Sequence, residues 1–277
     1  MKHRSRVPFH YMNQEEESFR KRAGYTADEK RIQSLEELLG HLDVRYLALI
    51  STFETLKPLW RNKELEKQLI RQGKIWGSYV IGHALLDAGI VYCYALLKDG
   101  GESNPTLKTL VRPFLPKNRS KNAGLLQRLN CSFIESQIHL REHDSRLFPS
   151  TKTLSKSQRA RIGETHGRKF WRLVDALADD WALLERTSQT FSTYRGKWIA
   201  HFELEYDQKK KLRAPRYAGN HQLYTTLSQA IRVVERSVIH LHLIFTGVSS
   251  SAKFFREDAR RDAERYWGLR KDIWVRE

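Results

Sequence analysis

Cysteine is scarce in this chain of 277 residues, in which Cys93 and Cys131 are the only two. Two cysteines allow at most one disulfide, and Cys93 lies within an apolar helical stretch. A disulfide-stabilised scaffold and a cysteine-rich zinc site are therefore excluded, and the composition fits a reducing compartment. The amino terminus, residues 1–8, lacks the apolar core of a signal peptide. We therefore expect a cytoplasmic protein.

Several motifs of phosphate binding, acyl transfer and metal binding are also missing. The sequence contains no phosphate-cradling glycine-rich loop, no Gly-x-Ser-x-Gly elbow and no internal repeat. Eleven histidines are present but scattered, and the pair His139 and His143 has no third ligand nearby in sequence. These absences predict a protein that uses neither a metal nor a cofactor.

Acidic residues are fewer than basic ones. Aspartate and glutamate together number 32, against 49 lysines and arginines, which gives a formal net charge of +17. A charge of this size favours a polyanionic partner. Charge alone does not distinguish RNA from DNA or phospholipid, and a solvated basic surface is the simpler alternative.

Only one long apolar run is present, Trp76–Leu97. Its length would suit a membrane span, but it contains His83, Asp87 and three glycines. Ionisable groups are costly inside a bilayer, so we interpret the run as a buried helix at the centre of a bundle and expect no membrane association.

Apolar residues recur at three- and four-residue spacing along most of the chain, which predicts an all-α fold, a helical bundle with additional terminal helical or disordered segments. One helix is predicted from near Thr26, and Pro58 is predicted to interrupt it. Another is predicted from about Arg168 towards Gly196. Further predicted helices span Ile75–Leu97, Thr106–Val111, Leu125–His143 and His221–Phe245. Lys117–Lys121 is predicted to be a basic loop.

Three regions follow from this pattern. Residues 1–26 form a basic amino-terminal tail, residues 27–246 a helical domain with a basic insertion at about 145–167, and residues 247–277 a charged carboxy-terminal helical tail. We expect the insertion to act as a connector, with Ser155 as the cap of a short helix.

The most informative stretch is Arg195-Gly-Lys-Trp-Ile-Ala-His201. Arginine is a permanent cation suited to a phosphoryl group, and histidine exchanges a proton near neutral pH. Other arginine–histidine pairs at similar spacing occur in the chain, so spacing alone proves little. The context of Arg195 is distinctive, because a long amphipathic helix precedes it and an apolar wedge, residues 198–200, follows it. The alternative is a helix-end histidine with a solvated arginine.

The segment Y-R-G-K-W-I-A-H-F-E-L-E-Y-D, residues 194–207, resembles the signature of HEPN proteins, specifically their abortive-infection-like branch. The resemblance extends to Trp76–Leu97 and to N-P-T-L-K-T-L-V at Asn104–Val111, and covers about residues 30–246. It implies a HEPN-type helical bundle. Many catalytic members have a polar residue directly after the arginine, where this chain has Gly196.

The resemblance implies a metal-independent endoribonuclease of a toxin or anti-phage defence type, with Arg195 and His201 as its catalytic pair. In that chemistry the ribose 2′-hydroxyl attacks its own phosphodiester, histidine transfers a proton, and arginine stabilises the phosphorane. The product is a 2′,3′-cyclic phosphate. Six residues on an ideal helix separate two side chains by roughly 120° and about 9 Å. Either a distortion near Gly196 or a homodimer groove, which the resemblance implies, would reconcile this separation with a shared site.

A basic loop from Tyr206 to Asn220 follows the pair and is expected to hold the RNA backbone, with one aromatic stacking on a base. The predicted supporting residues are Tyr194, Lys197, Lys209, Lys210, Lys211, Arg213, Arg216 and Tyr217. The alternatives are a solvated basic loop, a surface charge for Lys197 and a core aromatic for Tyr194.

Two other functions remain open. Gly196 favours a non-catalytic HEPN module that binds nucleic acid or nucleotide through the same groove. A structural or interaction protein is the third possibility. A toxin-like protein would need an antitoxin or a regulatory protein as a further partner.

Overall fold

The computed structural model describes residues 27–98, 106–143, 154–196, 205–206, 212–213, 220–250 and 252–269. Within these ranges the protein is all-α, as predicted, apart from one short strand pair. The helices are α1 (Ala27–Arg61), α2 (Lys63–Arg71), α3 (Ile75–Lys98), α4 (Leu107–Val111), α5 (Pro116–Arg119), α6 (Ala123–His143), α7 (Lys156–Tyr194), α8 (Asn220–Thr246) and α9 (Ala252–Tyr266). Single 3₁₀ turns cover Arg112–Phe114 and Ser120–Asn122.

The core follows from the spacing of apolar residues along the long helices. In α1 the buried side chains include Leu35, Leu39, Leu42, Tyr46 and Leu49, which lie three or four residues apart and so share one face. Helices α6, α7 and α8 bury equivalent stripes in the same cluster. Helix α1 packs on α3 and α9, α6 packs on α7, and α7 packs on α8 and α3. One continuous core therefore joins the amino-terminal and carboxy-terminal helices.

Two sequence-based boundaries were wrong. Pro58 does not end the first helix, which continues to Arg61 with Pro58 buried in its last turns. One missing backbone donor near a helix end is offset there by packing. The segment Lys117–Lys121 is not a loop, because Pro116 begins the short helix α5 and a 3₁₀ turn follows it.

Helix α7 begins earlier than the apolar pattern predicted, at Lys156 instead of near Arg168. Ser155 is its cap, as expected: its hydroxyl accepts from the backbone N–H of Gln158, whose side chain accepts in return from the Ser155 N–H. The helix is therefore 39 residues long, and the carboxy-terminal part of the predicted connector is its first turns. This stretch has few apolar residues, so its periodicity was weak, but Ile162 and His166 are buried.

Helix α3 lies against the bundle along one side and is not enclosed, contrary to the expectation of a central helix. Leu86, Ile90 and Cys93 are fully buried, whereas Trp76 is 80% exposed and Val80 69% exposed. Among the described residues α3 is the only helix whose length and hydropathy would suit a membrane span, and 39% of its most apolar window is buried within the protein.

Helix α9 is attached to the bundle by buried charge. Arg256 donates to Glu54 of α1 (2.9 Å) and to Glu235 of α8 (2.8 Å), and the Glu54 side chain is 1% exposed. At the end of α9, the Trp267 indole N–H donates to the Thr55 carbonyl oxygen at 2.8 Å. Three helices therefore meet at a single guanidinium.

A second buried carboxylate, Asp180 of α7, is also paired. Asp180 is 3% exposed and bound to Arg236 of α8, with Nε at 2.9 Å from Oδ2. Its surroundings are those of a structural ion pair. Sequence periodicity alone does not show that α8 lies over this side of α7.

We predict that Arg256→Ala lowers the free energy of unfolding by about 3 kcal/mol, because it leaves the buried Glu54 carboxylate without its main cation. The measurement is urea unfolding followed by circular dichroism. The matched control is Arg265→Ala on the same helix, whose ion pair with Asp262 is exposed on both sides, and which should cost less than about 1 kcal/mol. Equal losses for the two variants would contradict the proposed role of the buried pair.

Candidate active site at the end of helix α7

The carboxy-terminal end of α7 is distorted where the arginine–histidine motif begins. Arg195 and Gly196 form a π-helical turn, and the Arg195 backbone N–H donates to the carbonyl oxygens of both Phe191 and Ser192. Such wide turns are rare and occur frequently at functional sites. A distortion near Gly196, one of the two arrangements considered for the motif, is therefore present at Arg195 and Gly196.

The Arg195 side chain is held by an aromatic ring of α3. Its guanidinium carbon lies 4.7 Å from the centroid of the Tyr94 ring, within the range of a cation–π contact. The contact places the cation over the aromatic ring, and the N–H donors of a guanidinium are the groups that match a phosphate. Tyr94 therefore holds the group that the sequence predicted to contact the scissile phosphate.

The preceding residue, Tyr194, is bound to the same helix. Its hydroxyl donates to Oδ1 of Asp87 at 2.9 Å. Burial raises the pKa of Asp87 above its usual value, while the Tyr194 hydrogen bond and the nearby His83 act in the opposite direction. His83 and Asp87 lie four residues apart and so share one side of α3. Tyr194, which was predicted to be a supporting residue, is therefore hydrogen-bonded to Asp87 of α3.

Three residues of this cluster, His83, Asp87 and Tyr94, were missed as site residues by the sequence analysis. His83 and Asp87 were noticed only as evidence against a membrane span. The available signal was their occurrence at four-residue spacing inside an otherwise apolar helix, since ionisable groups in such places are rarely incidental. Nothing in the sequence indicated that α7 would end beside them.

The remaining predicted site residues lie outside the described part of the chain. These are His201, Lys197, Lys209, Lys210, Lys211, Arg216 and Tyr217. Arg213 belongs to a strand, β2 (Leu212–Arg213), which pairs antiparallel with β1 (Glu205–Tyr206) in the register Glu205 to Arg213. The segment after the motif, predicted to be a loop from Tyr206 onwards, therefore contains a strand pair.

Metal ligation has little support in the described ranges. No group of three or more His, Cys, Asp or Glu side chains within them is arranged to hold a metal ion. The described groups at the end of α7 are instead the Arg195 cation over the Tyr94 ring and the half-buried Asp87 carboxyl group, which accepts from the Tyr194 phenol.

Comparison with known proteins gives one match. A family model described as HEPN_AbiU2, AbiU2, matches residues 32–266, which include every helix from α2 to α9 and nearly all of α1. No curated protein and no solved structure matches. The resemblance predicted from the motif and from α3 is confirmed at the level of the family, and the match extends through α9.

We predict that Asp87→Asn changes how stability depends on pH. Because the pKa of Asp87 is raised in the folded protein, this carboxyl group ionises at higher pH when folded than when unfolded. The free energy of unfolding of the wild type therefore falls as the pH rises from the ordinary aspartate pKa to the raised one, since folding then buries a charge. Asparagine removes this loss and still accepts from Tyr194. The stability of Asp87→Asn relative to wild type should therefore increase over this interval and then level off.

The measurement is the urea midpoint of both proteins at a series of pH values. Asp262→Asn, which removes an exposed carboxylate of α9, reports the general effect of deleting one negative charge from this basic chain. A constant difference between Asp87→Asn and wild type at every pH would contradict the prediction.

Proposed function

Because the chain belongs to the HEPN_AbiU2 family, and is thus an abortive-infection HEPN module, we propose that it is a metal-independent endoribonuclease of a toxin or anti-phage defence type. The observation that carries this proposal is the Arg195 guanidinium, fixed on the Tyr94 ring at a distorted helix end. A cation held in place beforehand can stabilise the negative charge that develops on a phosphorane with little reorganisation during the reaction.

In the proposed reaction the 2′-hydroxyl of the substrate attacks the adjacent phosphorus atom, and the bond from phosphorus to the 5′-oxygen breaks. His201 takes the 2′-proton or protonates the departing 5′-oxygen. The products are a 2′,3′-cyclic phosphate and a 5′-hydroxyl. No water enters this step, so no metal is required to activate one.

Arg195 stabilises the added negative charge of the phosphorane in this scheme. Tyr94 contacts its guanidinium, and the Tyr194–Asp87 hydrogen bond holds the turn from which it projects. Tyr94, Tyr194 and Asp87 are therefore positioning residues. The basic residues Lys197, Lys209, Lys210, Lys211, Arg213 and Arg216 are proposed to hold the RNA backbone, and Tyr217 to stack on a base.

We further propose that two chains assemble the groove, with α3 at the interface. The side of α3 that faces away from the bundle is apolar, and Trp76, Val80 and Ala84 follow one another at four-residue spacing and are exposed. Trp76 and Val80 together leave roughly 300 Å² of mostly apolar surface uncovered. A standard interface buries about 800 Å² per partner, so this surface would supply part of one.

A second copy of the chain is the occupant favoured for this surface, because Tyr94 and Asp87, which anchor the Arg195 turn, lie along the same helix. A two-fold pairing of α3 with itself would bring two Arg195/His201 pairs to one groove, and isologous dimers are the commonest oligomers. Small residues such as Ala84 allow a second helix to approach closely.

A non-catalytic module that binds nucleic acid or nucleotide is the second candidate, and Gly196 favours it. A Cβ atom at Gly196 would meet no described atom within 4 Å, so the space there does not require glycine. Crowding by the described residues therefore does not explain why Gly196 stands where a polar residue is expected after the motif arginine. For either function, an antitoxin or a regulatory protein is the proposed partner that restrains the activity.

We predict that the purified protein cleaves labelled RNA in the presence of EDTA and leaves 2′,3′-cyclic phosphate ends. His201→Ala should reduce the cleavage rate by about 10²–10⁴-fold, because it removes the proton-transfer group. Arg195→Ala should reduce it by about 10²–10³-fold, because it removes a charge-stabilising donor.

Matched controls for this experiment are His139→Ala and Arg186→Ala, an exposed histidine of α6 and an exposed arginine of α7. Both should cleave at the wild-type rate. RNA that is shifted in a gel but uncut by the wild type would favour the binding module. Equal cleavage by wild type and both motif variants would mean that other residues perform the reaction.

We predict that the protein is a dimer and that Val80→Glu makes it monomeric, since the substitution places a charge in the proposed apolar interface. The measurement is mass by light scattering after size-exclusion chromatography. Val44→Glu is the control, because Val44 of α1 is similarly exposed, at 66%, and lies on another helix. A wild-type monomer, or a dimer that survives Val80→Glu, would contradict the interface on α3.

A further inference from the structure

A second feature lies beside the candidate site and is not used by the proposed chemistry. A cavity of about 330 Å³ lies between the end of α1, helix α2 and the first turns of α3. Its apolar lining residues are Leu59, Leu65, Leu69 and Ile75. Small-molecule sites begin at about 300 Å³ and combine apolar walls with a few polar groups. The cavity therefore has the size and lining of a binding site for one small flat group.

Two aromatic side chains form part of the lining, Trp60 and Tyr79. The Trp60 ring is supported from behind by Tyr224, with centroids 5.3 Å apart and planes 5° from parallel, and Tyr224 is in turn stacked on Phe53. Trp60 is therefore fixed in orientation, whereas Tyr79 is 52% exposed. A rigid indole and a more mobile phenol are well suited to stacking on a planar heterocycle, which gains about 1–3 kcal/mol per base.

The polar groups of the cavity are Glu66, Ser78 and His83. The Ser78 hydroxyl donates to the Ile75 carbonyl oxygen at 2.6 Å. Because its proton is used in this bond, the hydroxyl oxygen can act only as an acceptor towards a ligand. Glu66 adds a carboxylate, which accepts hydrogen bonds and repels anions. The lining therefore disfavours a phosphate inside the cavity and favours a ring with N–H donors on its edge.

Glycine at position 82 keeps the cavity open. A Cβ atom built there would lie 3.4 Å from Cδ1 of Leu59 and 3.9 Å from the Trp60 indole nitrogen, which are ordinary contacts. A methyl group would therefore fit, and a larger side chain would extend into the cavity. This position offers a way to close the cavity without adding a charge.

The cavity adjoins the candidate active site through α3. His83 lines the cavity and also acts electrostatically on Asp87, which accepts from Tyr194, the neighbour of Arg195. One helical turn, about 6 Å, separates residues at positions 83 and 87. Tyr94, over whose ring the Arg195 guanidinium lies, is eleven residues after His83, a rise of about 16 Å along α3. A base in the cavity would therefore lie a few nucleotides along the strand from a phosphate at Arg195.

We propose that this cavity receives an unpaired guanine base of the RNA substrate, a few nucleotides from the phosphate that Arg195 contacts. Guanine has two adjacent N–H donors on its Watson–Crick edge, which match the two oxygens of the Glu66 carboxylate. Adenine offers one donor beside an acceptor that a carboxylate repels, and uracil offers a single donor between two carbonyl oxygens. This inference rests on the proposed function for the role of the base, but nucleotide binding can be tested without any cleavage.

The test is isothermal titration of the wild-type protein with the 5′-monophosphates of guanosine, adenosine, cytidine and uridine. All four have the same phosphate, so attraction to the basic chain is common to them. We expect guanosine monophosphate to bind at least tenfold more tightly than the other three. Equal binding of all four, or no binding of the guanosine nucleotide at millimolar concentration, would overturn the proposal.

Variants locate the binding. Gly82→Leu should abolish guanosine monophosphate binding by filling the cavity, while Gly82→Ala should retain it. Both replace a helical glycine, which favours folding, and circular dichroism checks that each variant is intact. Glu66→Gln should remove the preference for guanine, and Ile70→Ala, an exposed change on the same helix, should have no effect. Unchanged binding in Gly82→Leu would exclude the cavity as the site.

The double variant Arg195→Ala/His201→Ala separates this inference from the proposed function. We expect it to bind guanosine monophosphate within a fewfold of wild type, because the base contacts are intact. If RNA is not cleaved but the guanosine nucleotide binds as described, only the endoribonuclease proposal fails. If RNA is cleaved without preference at guanines and Gly82→Leu cleaves like wild type, only the base site fails.

Discussion

Helix α3 must bury one side of a very apolar surface, and the position of the candidate site depends on how it does so. Leu86, Ile90 and Cys93 lie fully inside the bundle, and this packing holds α3 between α1 and the end of α7. The side chains around the rest of α3 are then fixed in direction by helix geometry. Asp87 and Tyr94 contact the last turn of α7, whereas Trp76 and Val80, nearer the start of α3, are exposed.

Three distinct features are consequently arranged around one helix. Next to α7, Asp87 and Tyr94 hold Tyr194 and Arg195. Next to α1 and α2, the first turns of α3 complete a cavity of about 330 Å³. The outward side carries the exposed apolar surface to which we assign a second copy of the chain. A nuclease of this kind would contact the base, the phosphate and its partner chain from a single rigid element, which preserves their relative positions.

The class of fold and much of its detail followed from sequence. Three- and four-residue apolar spacing predicted the all-α bundle, and the ends of α6 and α8 lie within two residues of their predicted positions. The failures had physical causes. Pro58 was expected to end α1, but a proline near a helix end costs little when it is packed. The start of α7 was missed because its first turns contain few apolar residues, although Ser155 identified the cap.

The site was predicted less completely than the fold. Arg195 and Tyr194 were predicted as site residues from the motif and its family resemblance; the match over residues 32–266 confirms the family, and the two roles stay predictions. Tyr94 and Asp87 were not, since they lie about a hundred residues earlier in the chain. His201 and the basic segment after it remain predictions.

The sequence by itself determined the helical class and the family, because periodicity and local residue type are properties of short stretches. Only the tertiary structure decided that the Arg195 guanidinium lies over the Tyr94 ring, that Asp87 accepts from Tyr194 and that Asp180 is buried against Arg236. Each of these depends on which side of one helix meets which side of another. That choice is made by the packing of the entire core, and no local pattern encodes it.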